Sequence, residues 1–141
     1  MFGEATFEAR LENLAEIRRF VEDACRGTRL TDAACFDLKL AVDEACTNVI
    51  EHAYAGAGGT IAVSCAAEGD GLRITIRDRG RAFEPARLTA PDVTAPSEER
   101  TVGGLGWHLI RRSVDEVDYE RDPSGENRLT LVKRSRPWTS T

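Results

Sequence analysis

The longest helical pattern in the chain is DAACFDLKLAVDEACTNVIEHAY, residues 32–54. Its apolar side chains recur every three or four positions, as they do on one face of an amphipathic helix. They are Phe36, Leu38, Ala41, Val42, Ala45, Val49 and Ala53. Thr31 precedes the pattern as an N-cap residue, and the glycine-rich stretch 56–59 follows it and favours turns over helix. The pattern therefore predicts one long helix from residue 32 to about residue 54.

Other periodic segments surround this helix. Helical spacing recurs at residues 12–26 and 104–113. Apolar and polar residues alternate, as they do in strands, at 2–9, 60–67, 72–78, 115–121 and 127–134. Helices and hairpins are thus partly segregated along the chain. We expect an α+β fold, a two-layer sandwich in which helices cover one face of a mixed, mainly antiparallel sheet.

Size and charge narrow the class of protein. The chain has 141 residues, the size of one domain, so we expect residues 1–141 to form a single unit. Its formal net charge is −5, and an acidic chain lacks the basic surface that non-specific nucleic-acid binding requires. No apolar run approaches the roughly 20 residues that span a bilayer, and the N-terminus lacks a signal-peptide pattern. The sequence predicts a cytoplasmic protein without direct contact to nucleic acid or membrane.

Four cysteines are present, namely Cys25, Cys35, Cys46 and Cys65. None belongs to a CxxC pair, so a zinc site is not expected. An even number permits disulfides, but buried free thiols are the simpler expectation for a cytosolic protein.

Residues 84–102 lose all periodicity and contain three of the five prolines. A stretch of this length without regular structure, inside a small domain, is usually functional or mobile. We therefore expect a functional or mobile segment at 84–102, and we interpret residues 135–141 as a loose tail.

Glu44 and Asn48 lie four positions apart and share one face of the long helix. A solvated helix face is the simplest explanation of this pair. The functional explanation is that the Asn48 amide oxygen suits Mg²⁺, while the Glu44 carboxylate can orient or deprotonate a hydroxyl nucleophile.

Two glycine-containing segments are compatible with a nucleotide site. Asp78-Arg79-Gly80 has the composition of a turn, but its carboxylate can accept a hydrogen bond from an exocyclic amine, and Gly80 can let a flat base approach. Gly103-Gly104-Leu105-Gly106 leads into the helix at 104–113. It forms either a flexible hinge or a loop that turns backbone N–H groups toward phosphates.

The segment 125–133 has the pattern of a terminal sheet strand. If Thr130 points into the pocket, its hydroxyl can approach a phosphate.

The segments 44–48, 78–80, 103–106 and 125–133, in this order and spacing, resemble the ATP-binding domain shared by gyrase, histidine kinases and MutL, known as the GHKL superfamily. A closer resemblance is to the stand-alone anti-sigma-factor serine kinases of bacterial partner-switching systems. It is carried by residues 40–48 (LAVDEACTN), 52–54 (HAY), 104–106 (GLG) and 114–117 (VDEV). The similarity spans roughly residues 7–134, nearly the whole chain.

The resemblance implies a Bergerat-type fold in which residues of about 84–102 form a lid and ATP binds between the long helix and this lid. Glu44 would act as the catalytic residue, Asn48 would hold Mg²⁺, and Asp78 would accept from the adenine amino group. The implied ATP-binding set is Asn48, His52, Ala53, Asp78, Gly80, Phe83, Gly103, Gly104, Leu105, Gly106, Trp107 and Thr130.

The resemblance also implies partners. The phosphoacceptor would be a small anti-sigma-factor antagonist, the second partner a sigma factor or another regulatory target, and the chain would form a homodimer. Two further hypotheses stay open. One is a catalytically silent module that senses ATP or ADP and sequesters a partner, and the other is an ATPase that serves a larger machine.

The chain departs from the family pattern at three places. Arg81-Ala82-Phe83-Glu84-Pro85 replaces the usual Gly-Phe-Asp-Pro run, and Gly125-Glu126-Asn127-Arg128 replaces a Gly-Thr pair. Trp107 is large where small or aliphatic residues are common. Because Glu44, Asn48 and Asp78 are all present, we expect ATP binding and kinase activity to be retained.

Overall fold

The computed structural model describes residues 2–82 and 104–135. The helices are α1 (Leu14–Cys25), α2 (Asp32–Asn48) and α3 (Gly104–Ser113). The strands are β1 (Gly3–Glu8), β2 (Thr60–Glu68), β3 (Gly71–Asp78), β4 (Glu116–Arg121) and β5 (Asn127–Lys133). The predicted lid at 84–102, together with Phe83, Gly103 and the tail beyond Ser135, lies outside the described residues. Among the helices within residues 2–82 and 104–135, none combines the length and apolar character needed to cross a membrane.

The five strands form one sheet in the order β1-β2-β3-β5-β4. Each neighbouring pair is antiparallel, with Val63 opposite Ile76, Ile76 opposite Leu129, and Leu129 opposite Tyr119. The predicted α+β class is confirmed. The sheet differs from the expectation in one respect, since its described strands are antiparallel throughout and not mixed.

The helices cover one face of this sheet. Alternate residues of β2, β3 and β5 point to that face and are fully buried, namely Ile61, Val63, Leu72, Ile74, Ile76 and Leu131. They pack in one core with Ile17, Val21, Leu38, Val42 and Ile110 of the helices. Burial of each such side chain stabilises the fold by about 1.5–3 kcal/mol. The opposite face of the sheet carries ion pairs, for example Arg73 with Glu68 and Arg77 with Glu4.

The long helix begins as predicted and ends in a widened turn. The Thr31 hydroxyl accepts a hydrogen bond from the Ala34 backbone N–H at 3.0 Å, which caps the first turn. After α2 the helix continues as a π-helical turn, Val49–Ala53, which the Tyr54 N–H closes by donating to the Val49 carbonyl at 2.9 Å. Such turns occur frequently at functional sites.

Helices α1 and α2 are cross-linked along their length. Two ion pairs join them, Arg18 to Asp43 and Lys39 to Glu22, each at 2.7 Å. One turn further along, a disulfide joins Cys25 to Cys35, whose Cα atoms are 6.2 Å apart. The expectation of a free thiol is therefore wrong for these two cysteines, because the antiparallel packing of the helices brings them within disulfide reach.

Cys46 and Cys65 are free and buried, as expected. Burial raises the pKa of each thiol to about 12, because the apolar surroundings disfavour the thiolate. These two side chains therefore act as small apolar core residues.

We expect reduction of the Cys25–Cys35 disulfide to lower the free energy of unfolding. The bond closes a short loop, since the cysteines are 10 positions apart, and in the chain-entropy model such a loop contributes about 3 kcal/mol. Denaturant unfolding with and without reductant measures the difference, and the Cys25→Ser/Cys35→Ser variant should match the reduced chain. Equal stability of the oxidised and reduced wild type would contradict this expectation.

Candidate functional site

A narrow pocket lies where the C-terminal part of α2 meets α3 and the ends of the central strands. It is lined by Ala45, Asn48, Val49, Ile76, Asp78, Trp107, Tyr119 and Leu129. The fold thus brings together three residues that the sequence placed in one site, Asn48, Asp78 and Trp107. They come from three elements that are far apart along the chain.

Asp78 is the last residue of β3, and only one of its two carboxylate oxygens accepts hydrogen bonds from described residues. Oδ1 accepts from the Gly80 N–H at 2.8 Å and from the Asn127 side-chain amide at 2.9 Å. No hydrogen bond reaches Oδ2 from the described part of the chain. The residue is only 6% exposed, and burial raises its pKa, an effect that the two hydrogen bonds partly offset. A buried acceptor thus remains available beside the pocket.

Asn127 holds Asp78 in place and is a site residue that the sequence analysis did not identify. Its side-chain N–H groups donate to Asp78 and to the Gly80 carbonyl at 3.0 Å. Its side-chain oxygen accepts from the Tyr119 hydroxyl at 3.0 Å and from Arg121 at 2.8 Å. The available signal was an asparagine at the start of a strand, where this residue type is depleted unless its side chain has a specific role.

We expect Asn127→Ala to lower the free energy of unfolding by about 2–3 kcal/mol, because it removes the hydrogen bonds that the buried Asn127 side chain forms with Asp78, Gly80, Tyr119 and Arg121. Loss of a hydrogen bond to the charged form should also raise the pKa of Asp78 further. Denaturant unfolding and an NMR titration of the carboxyl carbon measure the two effects. Arg128→Ala, one position along on the other face of the strand, is the control and should cost less than about 1 kcal/mol.

Gly80 is required by a close backbone contact. A Cβ atom at this position would lie 2.5 Å from the carbonyl carbon and oxygen of Ala53. The following residue, Arg81, donates its backbone N–H to the Ala53 carbonyl at 2.8 Å and its side chain to the His52 carbonyl at 2.9 Å. Gly80 is thus needed for the close contact with the π-helical turn after α2, and the approach of a flat base to it stays a prediction. His52 and Ala53 border the Asp78 loop through their backbone.

Tyr54 anchors the same loop from the other side. Its hydroxyl donates to the Thr60 carbonyl at 2.7 Å and accepts from the Arg79 N–H at 2.9 Å. Backbone and side-chain bonds thus fix the turn after β3 to both the helix and the neighbouring strand.

Glu44 lies one turn before Asn48 on α2 and is half-buried. Its neighbour Asp43 is committed to Arg18, whereas Glu44 forms no hydrogen bond or ion pair within the described residues. Asn48 is 6% exposed, and its side-chain amide likewise has no hydrogen-bond partner there. The helix thus presents an uncommitted carboxylate and an uncommitted amide on one face.

The glycine segment opens α3. Gly104, Leu105 and Gly106 form its first turn, and Trp107 follows as a buried residue. The prediction that the glycines lead directly into a helix is correct. Their role toward phosphates stays a prediction.

Thr130 is not brought to the pocket. In β5 it follows Leu129, which lines the pocket, and successive side chains of a strand point to opposite faces. Thr130 lies between Thr75 and Asp118 on the face away from the helices. The expectation of a hydroxyl pointing into the pocket is wrong for this reason.

Comparison with known proteins identifies the family of the chain. The chain matches the family model described as histidine kinase-like ATPase domain over residues 7–133. The serine-protein kinase RsbW of Halalkalibacterium halodurans is 33% identical over 123 residues, which cover 84% of this chain and 75% of that protein. The serine-protein kinase RsbW of Bacillus cereus strain AH187 is 31% identical, with coverage of 84% and 77%.

Two solved structures share the fold. The RsbU and RsbW domains of a Mycobacterium tuberculosis protein match with a TM-score of 0.64 and 21% identity, over 95% of this chain and 33% of that one. The SiaB–SiaC complex of Pseudomonas aeruginosa matches with a TM-score of 0.62 and 15% identity, over 91% of this chain and 88% of the other. The resemblance that the motifs indicated is confirmed. The chain belongs to the histidine kinase-like ATPase family and, within it, to the family of the serine-protein kinases named RsbW.

Proposed function

We propose that the protein is an ATP-dependent serine/threonine kinase that phosphorylates a small anti-sigma-factor antagonist and itself acts as an anti-sigma factor. The observation that carries this proposal is the convergence of Asn48 and Asp78 on one pocket, each with polar atoms that no described residue engages. The names of the relatives at 31–33% identity support the reaction class.

The lining of the pocket suits a purine base, although its free volume of about 10 Å³ has to widen before a base can enter. Its walls are mostly apolar, and the uncommitted Asp78 oxygen offers a buried acceptor for an exocyclic amine. This carboxylate is held rigidly by Gly80 and Asn127, so little ordering is needed when a base binds.

Magnesium would be held through Asn48. No group of three or more His, Cys, Asp or Glu side chains within residues 2–82 and 104–135 is arranged to hold a metal. Mg²⁺ commonly keeps several waters and binds through few protein ligands plus substrate phosphates, so a single amide oxygen fits it. When bound, the ion would neutralise phosphate charge and align the transferred group.

Glu44 is the proposed base. It is uncommitted, half-buried and one helical turn from Asn48. In the transfer, the serine or threonine oxygen of the antagonist bonds to the γ-phosphorus, the bond from that phosphorus to the ADP oxygen breaks, and Glu44 takes the hydroxyl proton. The products are ADP and a phosphorylated antagonist.

We further propose that the phosphorylated antagonist no longer binds, which frees the kinase to hold a sigma factor or another regulatory target. The proposal includes a homodimer and a cytoplasmic location, where such partners act.

A phosphoryl-transfer assay tests this function. The purified chain is mixed with Mg²⁺, γ-labelled ATP and an antagonist-like protein recovered with it from native cells. We expect label on a serine or threonine of the acceptor. Nucleotide binding without transfer would instead favour the silent ATP/ADP-sensing module, and steady ATP turnover without an acceptor would favour an ATPase of a larger machine.

The Asn48→Ala variant tests the metal ligand. We expect nucleotide affinity to lose its dependence on Mg²⁺, because the variant removes the Asn48 amide oxygen, to which no described residue donates a hydrogen bond. Calorimetric titration of ADP with magnesium or with EDTA measures that dependence. The same substitution at Asn13, in the short turn before α1, should leave it unaltered. A magnesium dependence like the wild type's in Asn48→Ala would contradict the assignment.

A further inference from the structure

Trp107 carries a buried hydrogen-bond donor that no described residue satisfies. The residue is 3% exposed, and within residues 2–82 and 104–135 its indole nitrogen has no hydrogen-bond partner. An unsatisfied buried donor costs about 1–3 kcal/mol, and most native structures avoid it. A donor of this kind therefore requires an explanation.

The space that the indole borders is the pocket that also holds Asn48 and Asp78. Four of the lining side chains, Ala45, Val49, Ile76 and Leu129, are hydrocarbon and offer no acceptor. Asn48, Asp78 and Tyr119 carry acceptor atoms, but none of them forms a hydrogen bond with the indole. A ligand in the pocket can supply the acceptor that the described residues do not. The site then contains one fixed acceptor, on Asp78, and one fixed donor, on Trp107.

We propose that Trp107 is a specificity-determining residue whose indole N–H donates to a ring nitrogen of the bound purine, while Asp78 accepts from its exocyclic amine. The inference rests on the proposed function and deepens it by assigning how the base is selected. A 6-aminopurine carries an amine donor next to ring-nitrogen acceptors and complements this pair. A 6-oxopurine presents a carbonyl oxygen to Asp78 in place of the amine, and two acceptors then oppose each other.

Loss of the indole N–H should weaken the binding of adenine nucleotides more than it disturbs the fold. Trp107→Phe keeps an aromatic ring in the apolar wall and removes only the donor and one ring. We expect the affinity for ATP to fall about tenfold, the effect of one buried hydrogen bond. Affinity for ITP, a 6-oxopurine nucleotide, should already be low and change less.

The sharpest test uses analogues of ATP in which one ring nitrogen is replaced by carbon. The 1-, 3- and 7-deaza analogues are titrated calorimetrically into the wild type and into Trp107→Phe. We expect one analogue to bind the wild type about tenfold more weakly than ATP does, and Trp107→Phe to bind that analogue and ATP equally. Because the comparison in the wild type needs no mutation, a folding defect in the variant leaves the proposal testable.

Tryptophan fluorescence provides an independent measurement. The chain has two tryptophans, Trp107 and Trp138, so Trp138→Phe isolates the signal of the pocket residue. We expect ADP to shift the emission of that variant with the same affinity that calorimetry reports.

The outcomes separate the inference from the proposed function. If the wild type binds ATP but all three analogues bind equally well, the donor role of Trp107 is refuted while the nucleotide site stands. If the wild type binds no adenine nucleotide at all, both are refuted.

Discussion

The Glu44→Gln variant is expected to bind ATP as the wild type does and to transfer phosphate to its acceptor at least about a hundredfold more slowly, the usual range for loss of a general base. Glutamine keeps the length and hydrogen-bonding capacity of the side chain but cannot take a proton. Since Glu44 makes no bond to a described residue, the substitution should leave the fold intact. Single-turnover transfer and ADP calorimetry measure the two quantities separately.

Glu12→Gln serves as the matched control for this experiment. It makes the same change in charge at an exposed position, Glu12, in the short turn before α1. Its transfer rate should equal that of the wild type. Undiminished transfer by Glu44→Gln would remove Glu44 from the role of base and leave the remaining nucleotide site unaffected.

The Asp78→Asn variant is expected to lose about ten- to a hundredfold in affinity for ATP, equivalent to about 1.4–2.8 kcal/mol. The N–H groups of Gly80 and Asn127 both donate to the oxygen at this position. They should therefore fix the asparagine with its oxygen toward them and its NH₂ group where Oδ2 lies in the wild type. A donor then opposes the adenine amine, which is also a donor.

The same argument makes the loss selective. The asparagine NH₂ can donate to the carbonyl oxygen of a 6-oxopurine, so the ratio of ITP to ATP affinity should rise. Stability should be unchanged or higher at neutral pH, because a buried carboxylate with a raised pKa is removed. Asp118→Asn, on the exposed face of β4, is the control and should alter neither quantity. Unchanged ATP affinity in Asp78→Asn would exclude the carboxylate from the base pocket.

The pKa of Asp78 also sets a pH dependence for the wild type. Because burial raises it, protonation begins at a higher pH than for an ordinary aspartate. Adenine nucleotide affinity should therefore fall as the pH is lowered through this raised pKa, and the fall should be absent in Asp78→Asn. Calorimetric titration of ADP across the acidic range measures it, and identical pH profiles would contradict the assignment.

Regular periodicity made most of the fold predictable. Residues 32–54 have a 3.6-residue period, and β2 and β3 have an alternating pattern, because each element buries one face. Burial of apolar side chains is the largest favourable contribution to folding, so these patterns predict the elements well. The widened π-helical turn at Val49–Ala53 has no such signature, because it depends on tertiary contacts such as the anchoring of Tyr54.

Site residues could be predicted from the sequence where their position along a single helix or strand decides where they lie. Asn48 and Asp78 converge because a helix and a strand end meet at the pocket. Thr130 was misplaced because a one-residue difference in strand phase reverses the face to which a side chain points. Asn127 and the Cys25–Cys35 bond depend on pairings across the fold, which spacing along the chain does not specify.

A crystal structure with Mg²⁺ and a non-hydrolysable ATP analogue tests the central claim most directly. We expect the adenine amine within hydrogen-bond distance of Asp78, the ion bound to the Asn48 side chain, and the indole N–H of Trp107 on a purine ring nitrogen. A nucleotide bound elsewhere on the protein, or a pocket that stays empty at saturating ligand, would contradict the account.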